Sequence, residues 1–445
     1  MTSILFVVDI YQLYPKSFKE VILDLPCSKS VVNRMITLTS CFDISVRLQN
    51  ITLNTDINTC LDSLSKLGFL TDFNPETKTV LIKKQPKSEQ KKVNLEVGPS
   101  GTTLRFMSAL APFLASEVRI NGDNSLKKRP VQDLLEVLEK QLGVNVIYHE
   151  KQGYLPFTLI PSVIFPKTKH LTVTADKSSQ FASALLMILP HLGKDATLTL
   201  VPPVNSYSYI ELTQQIMQEM GFEIAKTNEF TYTYKGRTIP QQECTFTVEG
   251  DWSAATFWYG YTALSGKKST LTGLNPQSLQ GEHAIEQIMQ KMGINSEFNS
   301  KNELEIFPSH QPLQAIQSDL TLLPDAAPML AVLCAFAQGK STLTGLQTLT
   351  YKETNRIQAL VQELQKMNVQ VEYTSDSLTV QGTQPQSTII ETYQDHRMAM
   401  AFAIAGVKVP YLSILDPNCV EKSYPQFWQD YKKTGMLILA RKTVI

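Results

Sequence analysis

Cysteine pairs, excess charge and long apolar runs are all missing from this sequence. Cys27, Cys41, Cys60, Cys244, Cys334 and Cys419 include no C-x-x-C pair, which leaves no case for a zinc site or a dense disulfide framework and points to a reducing compartment. Lys plus Arg and Asp plus Glu both number 41, so the chain lacks the basicity of a nucleic-acid or anionic-membrane binder, and any basic site must be local. The uncharged stretches around Ala327–Ala337 and Met398–Val407 fall short of the ~18 residues that span a bilayer. The start, MTSILFVVDIYQLYP, has no basic segment and meets Asp9 early, so it reads as a strand and not as a signal peptide. Also absent are H-E-x-x-H, an EF-hand carboxylate run, G-x-S-x-G and G-x-G-x-x-G after a strand, which removes the usual signatures of metal, esterase and dinucleotide chemistry. These absences describe a soluble, cytoplasmic protein.

What the sequence does contain is repetition. Six amphipathic helical segments end at Gly or Asn and run into a short strand: SLSKLGFL, LEKQLGVNVIY, MQEMGFEIA, MQKMGINSEF, LQKMNVQVEY and DYKKTGMLIL. Their capping residues, Gly68, Gly143, Gly221, Gly293, Asn368 and Gly435, are spaced by roughly 67 to 78 residues, and each type tolerates the left-handed conformation at a helix end. A second element recurs at the same interval, a polar loop leading into a helix of small and apolar residues: CSKSVVNRMITL, GPSGTTLRFMSALA, DKSSQFASALLMIL, GDWSAATFWYGYTAL, LPDAAPMLAVLCAF and YQDHRMAMAFAIAG. Apolar on both sides, these helices are expected inside, covered by the amphipathic ones. A chain of 445 residues is too long for one core, and six α/β units divide into two lobes of three.

Helix starts present unbonded N–H groups and the positive end of the helix dipole, so these six loops are anion sites in outline. One helix end gives an exposed charge only ~0.3–1 kcal/mol, and tight binding needs added cations. The loops contain them: Lys29 and Arg34, Arg105, Arg129, Lys352 and Arg356, Arg397, and Lys422. Any one of these alone would read as a solvated surface charge; recurrence at equivalent places argues otherwise. GPSGTT has glycines for close backbone approach but not the Gly-Lys-Ser/Thr ending of a nucleotide loop, and KSSQF reads equally well as a plain helix cap. Two carboxylates stand among the cations. Asp325 suits an N-cap and Glu353 a surface pair with Arg356, but facing a basic pocket both would stay ionised and accept protons. Of six histidines only His396 lies in a repeat loop, where it suits an acid–base or a structural role.

Together the segments PCSKSVVNR, GPSGTTLRF, KKRP, SSQFASALLM, EGDWSAA, LPDAAPMLA, KETNRI, YQDHRMAM and DPNCVEKSYPQF resemble, in order and over nearly the whole chain, the signatures of the 5-enolpyruvylshikimate-3-phosphate synthase family. The resemblance implies the two-lobed enolpyruvyl transferase fold, an inside-out α/β barrel of six βαβαββ repeats, three per lobe. Residues 28–248 would form one lobe, and residues 1–27 with 249–445 the other, the active site lying in the cleft that closes on substrate. It implies transfer of the enolpyruvyl group of phosphoenolpyruvate to the 5-hydroxyl of shikimate 3-phosphate by a monomer, with no metal or organic cofactor.

By the same resemblance Ser30, Arg34, Ser178, Ser179, Gln180, Ser206 and Tyr209 would hold shikimate 3-phosphate, with Lys352 reaching its hydroxyls. Lys29, Gly101, Arg129, Arg356, Arg397 and Lys422 would bind phosphoenolpyruvate, and Gln180 would touch both substrates. The arginines suit a carboxylate because their planar fork matches two oxygens. Asp325 would accept the 5-hydroxyl proton, while Lys29 and Glu353 both remain candidates for protonating the methylene carbon. The sequence departs from the family pattern at Cys27 for Gly, Pro99 for Asn, Thr348 for Asn and Asn355 for Asp, which bears on affinity and on the response to phosphoenolpyruvate-like inhibitors such as glyphosate. A related UDP-N-acetylglucosamine enolpyruvyl transferase would carry a reactive Cys in the loop NGDNSLKKRP, which has none. A degenerate anion binder would be expected to lose some of Lys29, Asp325, Glu353, Arg356 and Arg397.

Overall fold

All six capping residues take positive φ: Gly68 at 104°, Gly143 at 83°, Gly221 at 86°, Gly293 at 96°, Asn368 at 62° and Gly435 at 95°. This conformation reverses the chain out of a helix, and a β-carbon makes it costly by roughly 1–2 kcal/mol, which accounts for glycine at five of the six. The computed structural model describes residues 7–86, 92–238 and 243–444. The amphipathic helices before the caps are Thr55–Lys66, Gln132–Glu136 with a π-helical extension to Leu142, Ser208–Glu219, Ile285–Lys291, Arg356–Lys366 and Phe427–Lys433.

The apolar helices are Lys29–Leu38, Gly101–Leu110, Ser179–Met187, Trp252–Ser265, Ala327–Cys334 and His396–Ala405. Every residue of Gly101–Leu110, Ala327–Cys334 and His396–Ala405 is buried, as their two-sided apolar pattern requires. They pack against one another in two groups of three, each inside its own hydrophobic core.

The chain divides into two compact units, Cys27–Glu249 and Met1–Pro26 with Gly250–Ile445. Each holds three four-stranded sheets. The pattern is plainest in the second repeat, within Cys27–Glu249: Lys92–Glu96 runs parallel to Glu117–Asn121, joined through the inner helix, and Phe157–Pro161 and Val144–Tyr148 continue it antiparallel. This is βαβαββ, an inside-out α/β arrangement with helices at the centre.

Two sheets in the discontinuous unit borrow from the N-terminal segment. Val21–Asp24 lies parallel to Ser269–Thr272, and Val7–Tyr14 fills the centre of the last sheet, between Ser413–Leu415 and Leu437–Val444. In the other unit Cys244–Thr247 supplies the leading strand beside Val46–Gln49. Among the described residues no helix is long and apolar enough to cross a membrane, and all six cysteines are free thiols.

Candidate functional site

Within Cys27–Glu249 the three inner helices meet at their N-terminal ends. Asn33 in the first donates to Thr102 Oγ1 in the second at 2.9 Å, and Arg34 in the first reaches Ser183 Oγ in the third at 3.1 Å. Ser100 accepts from the Thr103 N–H and Ser178 from the Gln180 N–H, so each serine caps its helix and answers one of its unbonded donors.

Arg34 is buried among these starts. Its Nε donates to Thr213 Oγ1 at 2.7 Å, its Nη1 to the Ser30 carbonyl at 2.7 Å, and its Nη2 to Ser183 Oγ at 3.1 Å and the Tyr209 carbonyl at 3.2 Å. The rings of Phe106 and Tyr209 lie 5.4 and 5.8 Å from its guanidinium carbon. Burial lowers its pKa to about 10, an effect the Tyr209 phenol partly offsets, so it stays charged at neutral pH. All of these partners are neutral, and a buried cation held by neutral groups is poised for an anion. Ser179 is buried at the third helix start, and Gln180 Oε1 has no partner among the described residues. Ser206, buried, holds φ at 52°, a strained value for a residue with a side chain, immediately before the helix that bears Tyr209.

Lys29 and the glycine loop complete this set. Lys29 Nζ pairs with Asp56 Oδ2 at 2.9 Å, Asp56 being buried in the first turn of Thr55–Lys66. Arg105 donates to the Gly101 carbonyl at 3.2 Å and the Pro130 carbonyl at 3.1 Å, which ties the Lys127–Pro130 loop to the helix start. A β-carbon placed on Gly101 would lie 2.9 Å from Arg105 Nη1 and 2.9 Å from Arg129 Nη1. Both guanidiniums therefore rest against a face that only glycine leaves open.

The second unit gathers Lys352, Arg356, Arg397 and Lys422 around three carboxylates. Asp325 Oδ1 lies 3.0 Å from Lys352 Nζ and 2.8 Å from Arg356 Nη1, and its Oδ2 lies 3.0 Å from Arg397 Nη2. Glu353 takes Arg356 Nη2 at 2.9 Å and Lys422 Nζ at 2.7 Å. Asp395 receives Arg356 Nε at 2.7 Å and Nη2 at 3.2 Å while capping its own helix through the Arg397 N–H at 2.9 Å. Burial would raise the Asp325 carboxyl, but Arg397, Lys352 and Arg356 outweigh it and the repulsion from Glu353, holding it well below the usual carboxylate range. The same three carboxylates drive Arg356 up against the opposing pull of its burial. Four cations against three carboxylates leave the cluster one net positive charge. Ahead of Asp395 the chain turns sharply through two successive left-handed residues, Tyr393 at φ 55° and Gln394 at φ 56°.

Of the sixteen substrate-binding or catalytic candidates drawn from the resemblance, ten thus lie in the first unit and six in the second. Asp325 makes no side-chain cap; it sits in the turn Pro324–Ala326 with its oxygens on cations. Glu353 does form the i, i+3 pair with Arg356, but in a buried setting shared with Lys422. Arg356 grips Asp395 with its two-pronged face, and among the described residues one Nη1 hydrogen is left over. His396 is buried at its helix start, with Nδ1 3.8 Å from Asp395. Asp56, Thr213, Asp395 and Ser253, whose Oγ accepts from Arg397 Nη2 at 3.2 Å, went unnoticed in the sequence; only Asp395 carried a signal, an acid directly before a helix start. Two departures have structural roles: Asn355 caps Arg356–Lys366 through the Gln358 N–H, as an Asp would, and buried Cys27 Sγ receives the Thr52 N–H at 3.2 Å.

Comparison with known proteins gives consistent results. Residues 16–431 match the family model described as EPSP synthase (3-phosphoshikimate 1-carboxyvinyltransferase). A 3-phosphoshikimate 1-carboxyvinyltransferase of Nostoc punctiforme is 32% identical over 408 residues, 91% of this chain and 94% of its own. One from Cellvibrio japonicus is 30% identical over 427 residues, 96% of this chain and 99% of its own. Among solved structures, an EPSP synthase from Acinetobacter baumannii aligns over 97% of this chain and 100% of its own with a TM-score of 0.76 at 21% identity, a likeness of fold.

Proposed function

Since the chain belongs to the EPSP synthase family, we propose a division of its residues between the two substrates of that reaction. The protein is a 3-phosphoshikimate 1-carboxyvinyltransferase: it moves the enolpyruvyl group of phosphoenolpyruvate to the 5-hydroxyl of shikimate 3-phosphate and releases phosphate, a step of the shikimate pathway. Ser30, Arg34, Ser178, Ser179, Gln180, Ser206 and Tyr209 hold shikimate 3-phosphate, and Lys352 reaches its hydroxyls. Lys29, Gly101, Arg129, Gln180, Arg356, Arg397 and Lys422 take phosphoenolpyruvate, with Arg356 giving charge and one hydrogen bond because Asp395 occupies its fork.

The observation that carries this reading is the ionised Asp325 inside a net positive cluster. A carboxylate kept charged accepts the 5-hydroxyl proton as the oxygen attacks C2 of phosphoenolpyruvate. Lys29 as its ammonium, or Glu353 once it has taken up a proton from solvent, delivers a proton to the methylene carbon, giving the tetrahedral intermediate; return of a methyl proton to that group and departure of phosphate restore the double bond. The enzyme works as a monomer, each unit closing its own core, and in the cytoplasm, where free thiols persist.

Phosphate release from phosphoenolpyruvate tests the assignment: it is expected with shikimate 3-phosphate and not with UDP-N-acetylglucosamine, and release with neither acceptor would leave a mere anion binder. Gly101→Ala gives a finer test. Its new methyl displaces the guanidiniums of Arg105 and Arg129, both the ends of flexible side chains, so the fold survives and, as Arg129 moves, the KM for phosphoenolpyruvate rises about 10-fold or more. The KM for shikimate 3-phosphate should stay within about 2-fold; an equal rise in both constants would refute the placement of Arg129.

A further inference from the structure

Arg34 has five N–H groups, and the protein takes four of them: Nε to Thr213, one on Nη1 to Ser30, and both on Nη2 to Ser183 and Tyr209. A guanidinium usually meets an anion with two parallel donors; here one Nη1 hydrogen is left, and its direction is fixed by the other four bonds. We propose that Thr213 is a positioning residue for the reaction, aiming that last hydrogen at a single oxygen of shikimate 3-phosphate. This inference rests on the assignment of Arg34 to that substrate.

Thr213 is fully buried on Ser208–Glu219, so it acts through Arg34 and not on the ligand. Its Oγ1 lies 2.7 Å from Arg34 Nε, 2.9 Å from Ser183 Oγ and 2.7 Å from the Tyr209 carbonyl. One hydroxyl thereby joins the first inner helix, the third inner helix and the covering helix that carries Tyr209. It accepts a hydrogen bond from the Arg34 Nε–H and donates its own hydroxyl hydrogen to Ser183 Oγ or the Tyr209 carbonyl, so the orientation is set by a chain of bonds that a methyl group cannot replace. Without it, Arg34 keeps its charge and its stacking on Phe106 and Tyr209 but can rotate about its last bonds.

Steady-state kinetics of Thr213→Val, Thr213→Ser and Arg34→Gln test this. Thr213→Val keeps the volume and removes the hydroxyl; the KM for shikimate 3-phosphate should rise about 10-fold, with kcat and the KM for phosphoenolpyruvate within about 3-fold. Thr213→Ser should restore the wild-type value. In an Arg34→Gln background Thr213→Val should add nothing, because the residue acts only through that arginine. A change in all three constants together, or effects that add in the double variant, would mean a structural role and overturn the proposal. Should Thr213→Val not fold, Ser183→Ala reads the same chain of bonds: a rise of about 3-fold in the same KM is expected, and no change overturns the proposal. Arg34→Gln alone separates the two readings: if it leaves that KM unmoved the substrate assignment fails, whereas a rise there without one in Thr213→Val sinks only the positioning role.

Discussion

Asp325→Asn is expected to lower kcat about 1,000-fold while the KM for shikimate 3-phosphate changes no more than about 3-fold, in keeping with the usual contribution of a general base. Asparagine has nearly the same shape: its carbonyl oxygen can still accept from Lys352 and Arg356, and only the bond from Arg397 to the second oxygen is lost, so fold and shikimate 3-phosphate binding should survive. What disappears is the ability to take a proton. A carboxylate held so far below its ordinary range is a weak base in the free enzyme, and its role as acceptor follows once the substrates are counted. The cluster carries one net positive charge, and two phosphorylated ligands bring several negative ones, which raises the proton affinity of Asp325 as they bind. The sign of the pH effect follows. In the free enzyme Asp325 must be ionised and stays so down to below its ordinary value near 3.8, so it gives kcat/KM no acid limb above about pH 4. In the ternary complex its limb moves upward and shows in kcat. Pre-steady-state and pH-profile measurements on wild type and Asp325→Asn decide the matter: near-normal turnover in the variant would remove Asp325 from the proton transfer.

The helix caps and the cation-bearing loops were legible in the sequence because both are local. Positive φ at Gly68 or Asn368 is a property of a residue and its nearest neighbours, and six repetitions make each instance more secure. The partners of the cations were not legible, because they arrive from elsewhere in the chain. Arg34 and Thr213 stand 179 residues apart and Arg356 and Asp395 stand 39 apart, and no pattern along the chain couples them. Arg356 shows the consequence. Its sequence context, KETNR, suggests a free fork beside a surface glutamate, whereas the folded unit buries it and gives its fork to Asp395. Similarly, an apolar start reads as a strand, but only the fold shows Val7–Tyr14 paired along its whole length with Leu437–Val444.

Arg356→Met should destabilise the Gly250–Ile445 unit by about 3–5 kcal/mol, the usual cost of removing one partner from a buried ion pair. The guanidinium touches all three carboxylates of the cluster, and its loss takes from buried Asp395 the donor to Oδ2 and leaves Oδ1 with the Arg397 N–H. For a domain of 150–250 residues each kcal/mol moves Tm by about 2–4 °C, so a fall of about 6–20 °C is expected. Titration does not confuse this result. The Asp325 carboxyl is depressed on folding, so its stabilising contribution is fully present above the unfolded value near 3.8 and is lost only as pH falls through the lower folded value. Denaturant unfolding at about pH 7 therefore reads the missing guanidinium alone. Arg356→Lys should fall between wild type and Arg356→Met, since an ammonium restores the charge but cannot span Asp325, Glu353 and Asp395 together. A loss below about 1 kcal/mol in the methionine variant would show that the cluster is held by Lys352, Arg397 and Lys422 without it.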